Sequence, residues 1–347
     1  MNPSWPDARQ PPDASSARSR PVWTLLRRWA TSVQTSLDLQ KQFTRLSAIT
    51  VAALSLSCLS AAAQTLPSHP PLRVLILSDE VNPHGLTPAQ LTQPGEISAA
   101  LAATAALNID SSPEALLELP TNSIEQATSR LLRAANDPLA YDVLIYFSHR
   151  IPDDGNNVVA RQEAFVAAVQ QFLQQGGGVV SFHHGIYLLP GKESMQTLLG
   201  AQASGAVFWN TTEGQNVINV GGEHFVSHHA ISYPDVLSYA DPANGIAAGN
   251  YPAFNNSPDE RYPTMARLPV GGFFQPLFAS NYNQNGTQHL LGYQLRQPTW
   301  QGVVIVYQPG EYQPNALTPG NNFQILLNAI WYSAGFARWP VFSSGFE

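Results

Sequence analysis

Four short runs of apolar, largely β-branched residues stand out along the chain: Arg73–Ser78, Asp142–Phe147, Val179–Phe182 and Gly302–Tyr307. Each is continuous rather than alternating, the pattern of a strand covered on both faces, as in parallel sheets. Between them the apolar period lengthens to that of a helix. Ser123 and Gln126 have the spacing of a capping box and predict a helix reaching about Ala135. Phe165, Val166, Val169, Phe172 and Leu173 form a helical stripe that stops at Gly176, and Phe323, Leu326, Leu327, Ile330 and Trp331 form another that stops at Gly335. Strands alternating with helices predict a doubly wound α/β layer fold with a mainly parallel sheet and helices on both faces. From about 201 to 300 the pattern weakens. Gly, Asn, Pro and aromatic residues dominate, Asn216–Val220 is a short strand candidate, and the expectation is long loops over the carboxyl edge of the sheet.

The N-terminal region changes the picture of the working chain. Residues 1–40 are rich in Pro, Ser and Arg, and Lys41 and Arg45 then precede an apolar run from Leu46 to Ala63. A basic flank, a short apolar core and a small-residue end are the parts of a secretory signal, with cleavage expected after Ala63. The division expected is therefore an N-terminal extension and signal peptide at 1–63, a short linker at 64–70, one domain at 71–335 and a tail at 336–347. Export to the periplasm or medium follows, with no stable membrane anchor after cleavage. Beyond Ala63 the chain has ten basic and twenty-one acidic residues, a balance that repels nucleic acid and anionic membrane surfaces. The one cysteine, Cys58, falls inside the expected signal, so the remaining chain has no thiolate nucleophile, disulfide or cysteine-held metal.

Polar residues collect just after the expected strand ends, where open α/β sheets bind ligands. His149 follows the second run, His183 and His184 the third, and Glu311 the fourth; the loop-like region adds His229, Asp259, Glu260, Tyr262 and Trp209, while His224 and His228 read as surface residues. Imidazole and carboxylate suit proton transfer near neutral pH and also ligate divalent ions. Were the third strand to continue, His183 and His184 would point to opposite faces; a sharp turn there would bring in both. No Gly-rich phosphate loop, HExxH or GxSxG is present, and Ser181 lacks the elbow of a serine hydrolase.

The order of these segments resembles the ThuA-like family, named for trehalose utilisation. The resemblance rests on Arg73–Ser78, on Tyr141–His149, on the stretch from Phe165 through Gly176-Gly177-Gly178 to His183-His184-Gly185, on His229-Ala230-Ile231, on Asp259-Glu260-Arg261-Tyr262 and on Phe323–Gly335. It implies a three-layer flavodoxin-like fold, that of class I glutamine amidotransferases, and a cleft over the third strand end. It does not imply glutaminase action, since the amidotransferase cysteine has no counterpart beyond Ala63. The implied role is that of an exported protein acting on or binding a small-molecule carbohydrate, the reaction undefined. His183, His184, Asp259 and Glu260 are the candidate catalytic groups, and His149, His229, Tyr262, Glu311 and Trp209 the candidate substrate contacts. A non-catalytic sugar-binding module and a metal-dependent hydrolase are the alternatives; the cofactor is open, with a divalent metal as the candidate. The chain departs from the family pattern at Glu311, where a histidine is expected, and at Ala230, where proline is.

Overall fold

The computed structural model describes residues 70–79, 95–203, 214–256, 259–263, 265–281, 289–311 and 320–335, and the backbone of 208–209. The chain divides into one unit at 1–62 and another at 63–347, and all of these residues belong to the second. The expected signal and its cleavage point, the linker up to residue 69 and the 336–347 tail lie outside the described residues. Among the described residues no helix is long and apolar enough to cross a membrane.

Strands and helices alternate first: β1 (Val74–Ser78), α1 (Glu96–Ala102), β2 (Leu116–Pro120), α2 (Ile124–Leu131), β3 (Val143–Phe147), α3 (Val158–Gln174), β4 (Gly178–Phe182) and α4 (Glu193–Leu199). Two short strands follow, β5 (Ala201–Gln202) and β6 (Phe208–Trp209), then β7 (Gln215–Asn219), α5 (Phe225–His228), β8 (Asp235–Asp241) and β9 (Ile246–Asn256). Short β10 (Glu260–Arg261) and β11 (Ala266–Arg267) precede β12 (Phe273–Ser280), β13 (His289–Arg296), β14 (Val304–Tyr307) and α6 (Asn321–Gly335). One ten-stranded sheet runs in the order β2-β1-β3-β4-β14-β13-β12-β7-β9-β8. Its first five strands are mutually parallel, and every pairing from β14 onward is antiparallel.

The continuous apolar runs divide by alternate residues between two buried clusters. Leu75, Leu77, Leu144, Tyr146, Val179, Val304 and Val306 pack with α2, α3 and α4. Val74, Ile76, Val143, Ile145, Val180, Ile305 and Tyr307 pack with α1, α5 and α6. Period-two side chains with a helix against each set explain why these strands carry no polar face. Close packing of α6 on β4 needs Gly178, where a Cβ would lie 2.4 Å from the Ser333 carbonyl oxygen.

Two expectations are corrected. The sheet is mixed rather than mainly parallel, because much of the 201–300 stretch expected as loops supplies its antiparallel half. β8 and β9 are largely exposed and keep the polar and small residues that read as loop, whereas β7 and β13 are mostly buried but carry polar residues such as Gln215, Asn219 and Gln294 that break an apolar run. The helix after Ser123 is also shorter than expected and ends at Leu131; Ser123 closes a 3₁₀ turn at Thr121–Ser123 and makes no side-chain cap bond.

Candidate functional site

β4 ends at Phe182 and the chain turns at once. His183 has φ 40° and residues His183–Ile186 form a single 3₁₀ turn. A non-glycine residue in this left-handed region costs roughly 1–2 kcal/mol, and here it brings two successive imidazoles to one side, with ring centroids 4.8 Å apart. Gly185 permits the turn to sit tightly, since a Cβ there would lie 2.6 Å from the Tyr146 carbonyl oxygen.

The His183 ring is fixed at both nitrogens. Nδ1 lies 2.7 Å from the backbone carbonyl of Gln308, the residue after β14. A carbonyl only accepts, so Nδ1 carries the proton there, and Nε2 faces Glu260 Oε2 at 2.9 Å and the Tyr262 hydroxyl at 3.1 Å. Tyr262 donates to Glu260 Oε2 at 2.9 Å and stacks on the His183 ring, centroids 4.9 Å apart. Burial, reinforced by the Glu260 and Glu311 carboxylates, holds the Tyr262 phenol well above its ordinary pKa, so it stays a neutral donor. The backbone of Glu260 pairs with that of Trp209, whose side chain lies outside the described residues.

His184 has its own partners. Nε2 lies 2.9 Å from Glu311 Oε2, Nδ1 lies 3.6 Å from Asp79 Oδ2, and Phe147 stacks on the ring at 4.8 Å. Glu311 Oε2 is also 3.7 Å from His183 Nε2, so this carboxylate spans the two rings. Burial by itself lowers the His184 pKa, but the Glu311 and Asp79 carboxylates outweigh it and push it up to about 10. Asp79 follows β1 and accepts the backbone N–H groups of His149 at 2.8 Å and Arg150 at 3.0 Å. Burial pushes its pKa up, yet His184 and these amides bring it below the usual carboxylate value. His183, His184 and Glu311 are all buried, and each offers a ligand atom within 4.8 Å of the other two.

Other expected residues take different places. His149 is half-buried; its ring stacks on Tyr187 at 4.7 Å and meets His184 edge-on at 5.1 Å, placing it beside the pair. Asp259 accepts the backbone N–H groups of Glu260 at 2.8 Å and Gly310 at 2.9 Å, tying β10 to the exit of β14. The described contacts of His229 lie elsewhere, between α5 and α6: its ring stacks on Phe225 at 4.7 Å and faces Trp331 edge-on, and its carbonyl accepts from Asn328. His224, expected at the surface, is buried and caps α5. Its Nδ1 accepts the Val226 N–H, and its Nε2 bonds Gln294 Oε1 at 2.9 Å. A cavity of about 560 Å³ beside α3 and α4, lined by Glu163, Val166, Glu193, Thr197 and Trp300, shares no residue with the histidine turn.

Three residues escape the sequence reading. Asp79 obeys the rule that singled out His149 and His183, being the first polar residue past a strand end. Gln308 acts on His183 through its backbone carbonyl, which has no side-chain signature. Lys192, the one lysine beyond Ala63, is fully buried, and its Nζ donates to the carbonyls of Ser148, His149 and His184 at 2.8, 3.3 and 3.2 Å.

No family profile matches the sequence, and a search of curated proteins gives no match. Among solved structures the chain is similar to a ThuA-like protein of Bacteroides uniformis, at 15% identity over 78% of this chain and 95% of that one, with a TM-score of 0.45. A ThuA-like protein of Parabacteroides merdae is similar at 13% identity over 76% and 90%, also with a TM-score of 0.45. A glutamine amidotransferase of Thermotoga maritima is similar at 9% identity over 77% and 97%, with a TM-score of 0.36.

Proposed function

We propose that the chain is an exported protein that acts on or binds a small carbohydrate at the carboxyl end of β4, without glutaminase chemistry. The observation carrying this reading is the convergence of His183, Glu260 and Tyr262 with His184, Glu311 and Asp79. These groups come from the ends of β1, β4 and β14 and from the β10 segment, and His149 joins them from the end of β3. The parallel order β2-β1-β3-β4-β14 is that of a flavodoxin-like sheet with β14 in the fifth place. Helices packed on both faces of this half support the three-layer reading, and ligands of such folds meet the carboxyl ends of the strands. His183 and Glu260 share a hydrogen bond along which a proton can pass, and Glu311 and Asp79 add carboxylates suited to sugar hydroxyls. The order of motifs resembling the ThuA-like family supports a carbohydrate as the ligand, and the apolar run from Leu46 to Ala63 supports export. Glutamine hydrolysis through a cysteine has no support, because Cys58 is the sole cysteine.

The reading is tested by calorimetry against disaccharides and their keto derivatives, run beside turnover assays. Binding is expected, with Glu260→Gln lowering any turnover by about 10²–10⁴-fold, as for loss of a group that exchanges a proton with the base. Binding without turnover assigns a sugar-binding module. Absence of both binding and turnover overturns the proposal.

A further inference from the structure

We infer that His183, His184 and Glu311 form a site for one divalent transition-metal ion. The inference rests on the reading of the β4 carboxyl end as the functional site, but not on the ligand being a sugar. The first support is convergence. Both Nε2 atoms face Glu311 Oε2, at 3.7 and 2.9 Å. Two donors bound tetrahedrally at about 2.1 Å to a common ion lie roughly 3.4 Å apart, a value between these two distances. The second support is the outer partner of each ring. His183 Nδ1 is bonded to the Gln308 carbonyl at 2.7 Å, and His184 Nδ1 faces the Asp79 carboxylate at 3.6 Å. Metal-bound histidines characteristically give their second nitrogen to a carbonyl or carboxylate, which fixes the ring and leaves the first nitrogen for the ion. Here His183 Nδ1 bonds a carbonyl at the exit of β14 and His184 Nδ1 faces a carboxylate at the exit of β1, while His183 Nε2, hydrogen-bonded to Glu260 in the structure, exchanges that bond for the ion. The third support is rigidity: both histidines lie on one tight turn, and Gly310, next to Glu311, is held by Asp259.

Two imidazoles and one carboxylate select zinc, iron(II), cobalt or manganese over a hard oxygen-preferring ion or a soft thiolate-preferring one. Three protein ligands leave a tetrahedral position for water or substrate. Glu260 and Tyr262 border the His183 side of that space.

The test uses full-length protein purified without an affinity tag, stripped with a chelator and titrated with zinc alone. About one equivalent is expected, with a rise in melting temperature. His184→Gln and Glu311→Gln should each weaken zinc binding by at least about 10²-fold, and Asp79→Asn by about 10–100-fold as an outer partner. His229→Gln should bind as the wild type does. Less than a tenth of an equivalent, or equal affinity in the His184 and Glu311 variants, overturns the inference. Paramagnetic resonance of copper(II) bound to the wild-type protein keeps the test independent of variant folding: coupling to two imidazole nitrogens is expected, and coupling to none overturns the site. Sugar calorimetry on stripped and loaded protein separates the two ideas. Sugar binding with no zinc uptake removes the metal site and leaves the carbohydrate reading; zinc uptake with no sugar binding does the reverse.

Discussion

Lys192 shows how the histidine turn is held from beneath. Burial pushes its pKa down to about 7, with Asp79 opposing. Its three contacts are carbonyl oxygens, which only accept, so they call on the N–H groups of the ammonium form. Those carbonyls belong to the ends of β3 and β4, so one side chain joins the segments that carry His149 and His184. Lys192→Met keeps the stem and removes the donors. It is expected to cost about 3 kcal/mol, the scale for losing charged hydrogen bonds and leaving carbonyls unsatisfied. Chemical denaturation followed by circular dichroism measures this, and a loss below about 0.5 kcal/mol would mean the carbonyls find other partners. At this scale the sequence disclosed residue types at strand ends, because chain direction alone places them at the ligand-binding edge. It did not disclose how they are oriented. His183 and His184 converge only through a positive φ at a histidine, and the lysine that braces them sits eight residues beyond.

Elements were legible where burial came with an unbroken apolar run; β13 is buried along nearly its whole length, but His289, Gly292 and Gln294 interrupt its apolar pattern. β1, β3, β4 and β14 have helices packed against both faces, so nearly every position is apolar, Ser78 and Ser181 excepted, and each run is conspicuous. β8 and β9 at the other end of the sheet present exposed residues along much of their length, and their register follows from pairing that composition does not encode. Short α5 was invisible for a related reason: its cap is a histidine. His224 is held neutral by its two bonds, accepting at Nδ1 from the Val226 N–H, while the Tyr332 ring lies 4.6 Å away. Burial lowers its pKa from 6.5 to about 4, with Gln294 opposing weakly. The unfolded chain therefore binds a proton that the folded chain refuses between these values. Stability is fully present above about pH 6.5 and is lost as pH falls toward 4. The shift corresponds to about 3 kcal/mol. His224→Asn keeps a capping side chain without the titration. Urea midpoints measured from pH 7.5 to 4.5 should fall less steeply for the variant than for the wild type; parallel slopes would show that His224 does not carry this linkage.

Across the whole molecule the parallel and antiparallel halves share their cores. One cluster joins Leu75, Leu144 and Val304 to Ile218, Tyr239 and Ala253, and the other joins Ile76 and Ile145 to Val217, Phe254 and Leu277. No boundary between β14 and β13 interrupts either set, and the ladder is continuous across it. A continuous core of this kind unfolds as one unit, because opening the antiparallel half would expose the apolar face that covers the parallel half. Ile145→Ala in β3 and Ile218→Ala in β7 probe opposite halves at fully buried positions. Each should cost about 2–5 kcal/mol, the range for truncating a buried isoleucine. In urea, tryptophan fluorescence and far-ultraviolet circular dichroism should give coincident single transitions for the wild type. Each variant should move the whole curve to lower urea with its slope unchanged. A biphasic curve in which Ile218→Ala shifts one phase and Ile145→Ala the other would instead make the antiparallel half a separate unit, and the site at the β4–β14 edge would then stand on the parallel half alone.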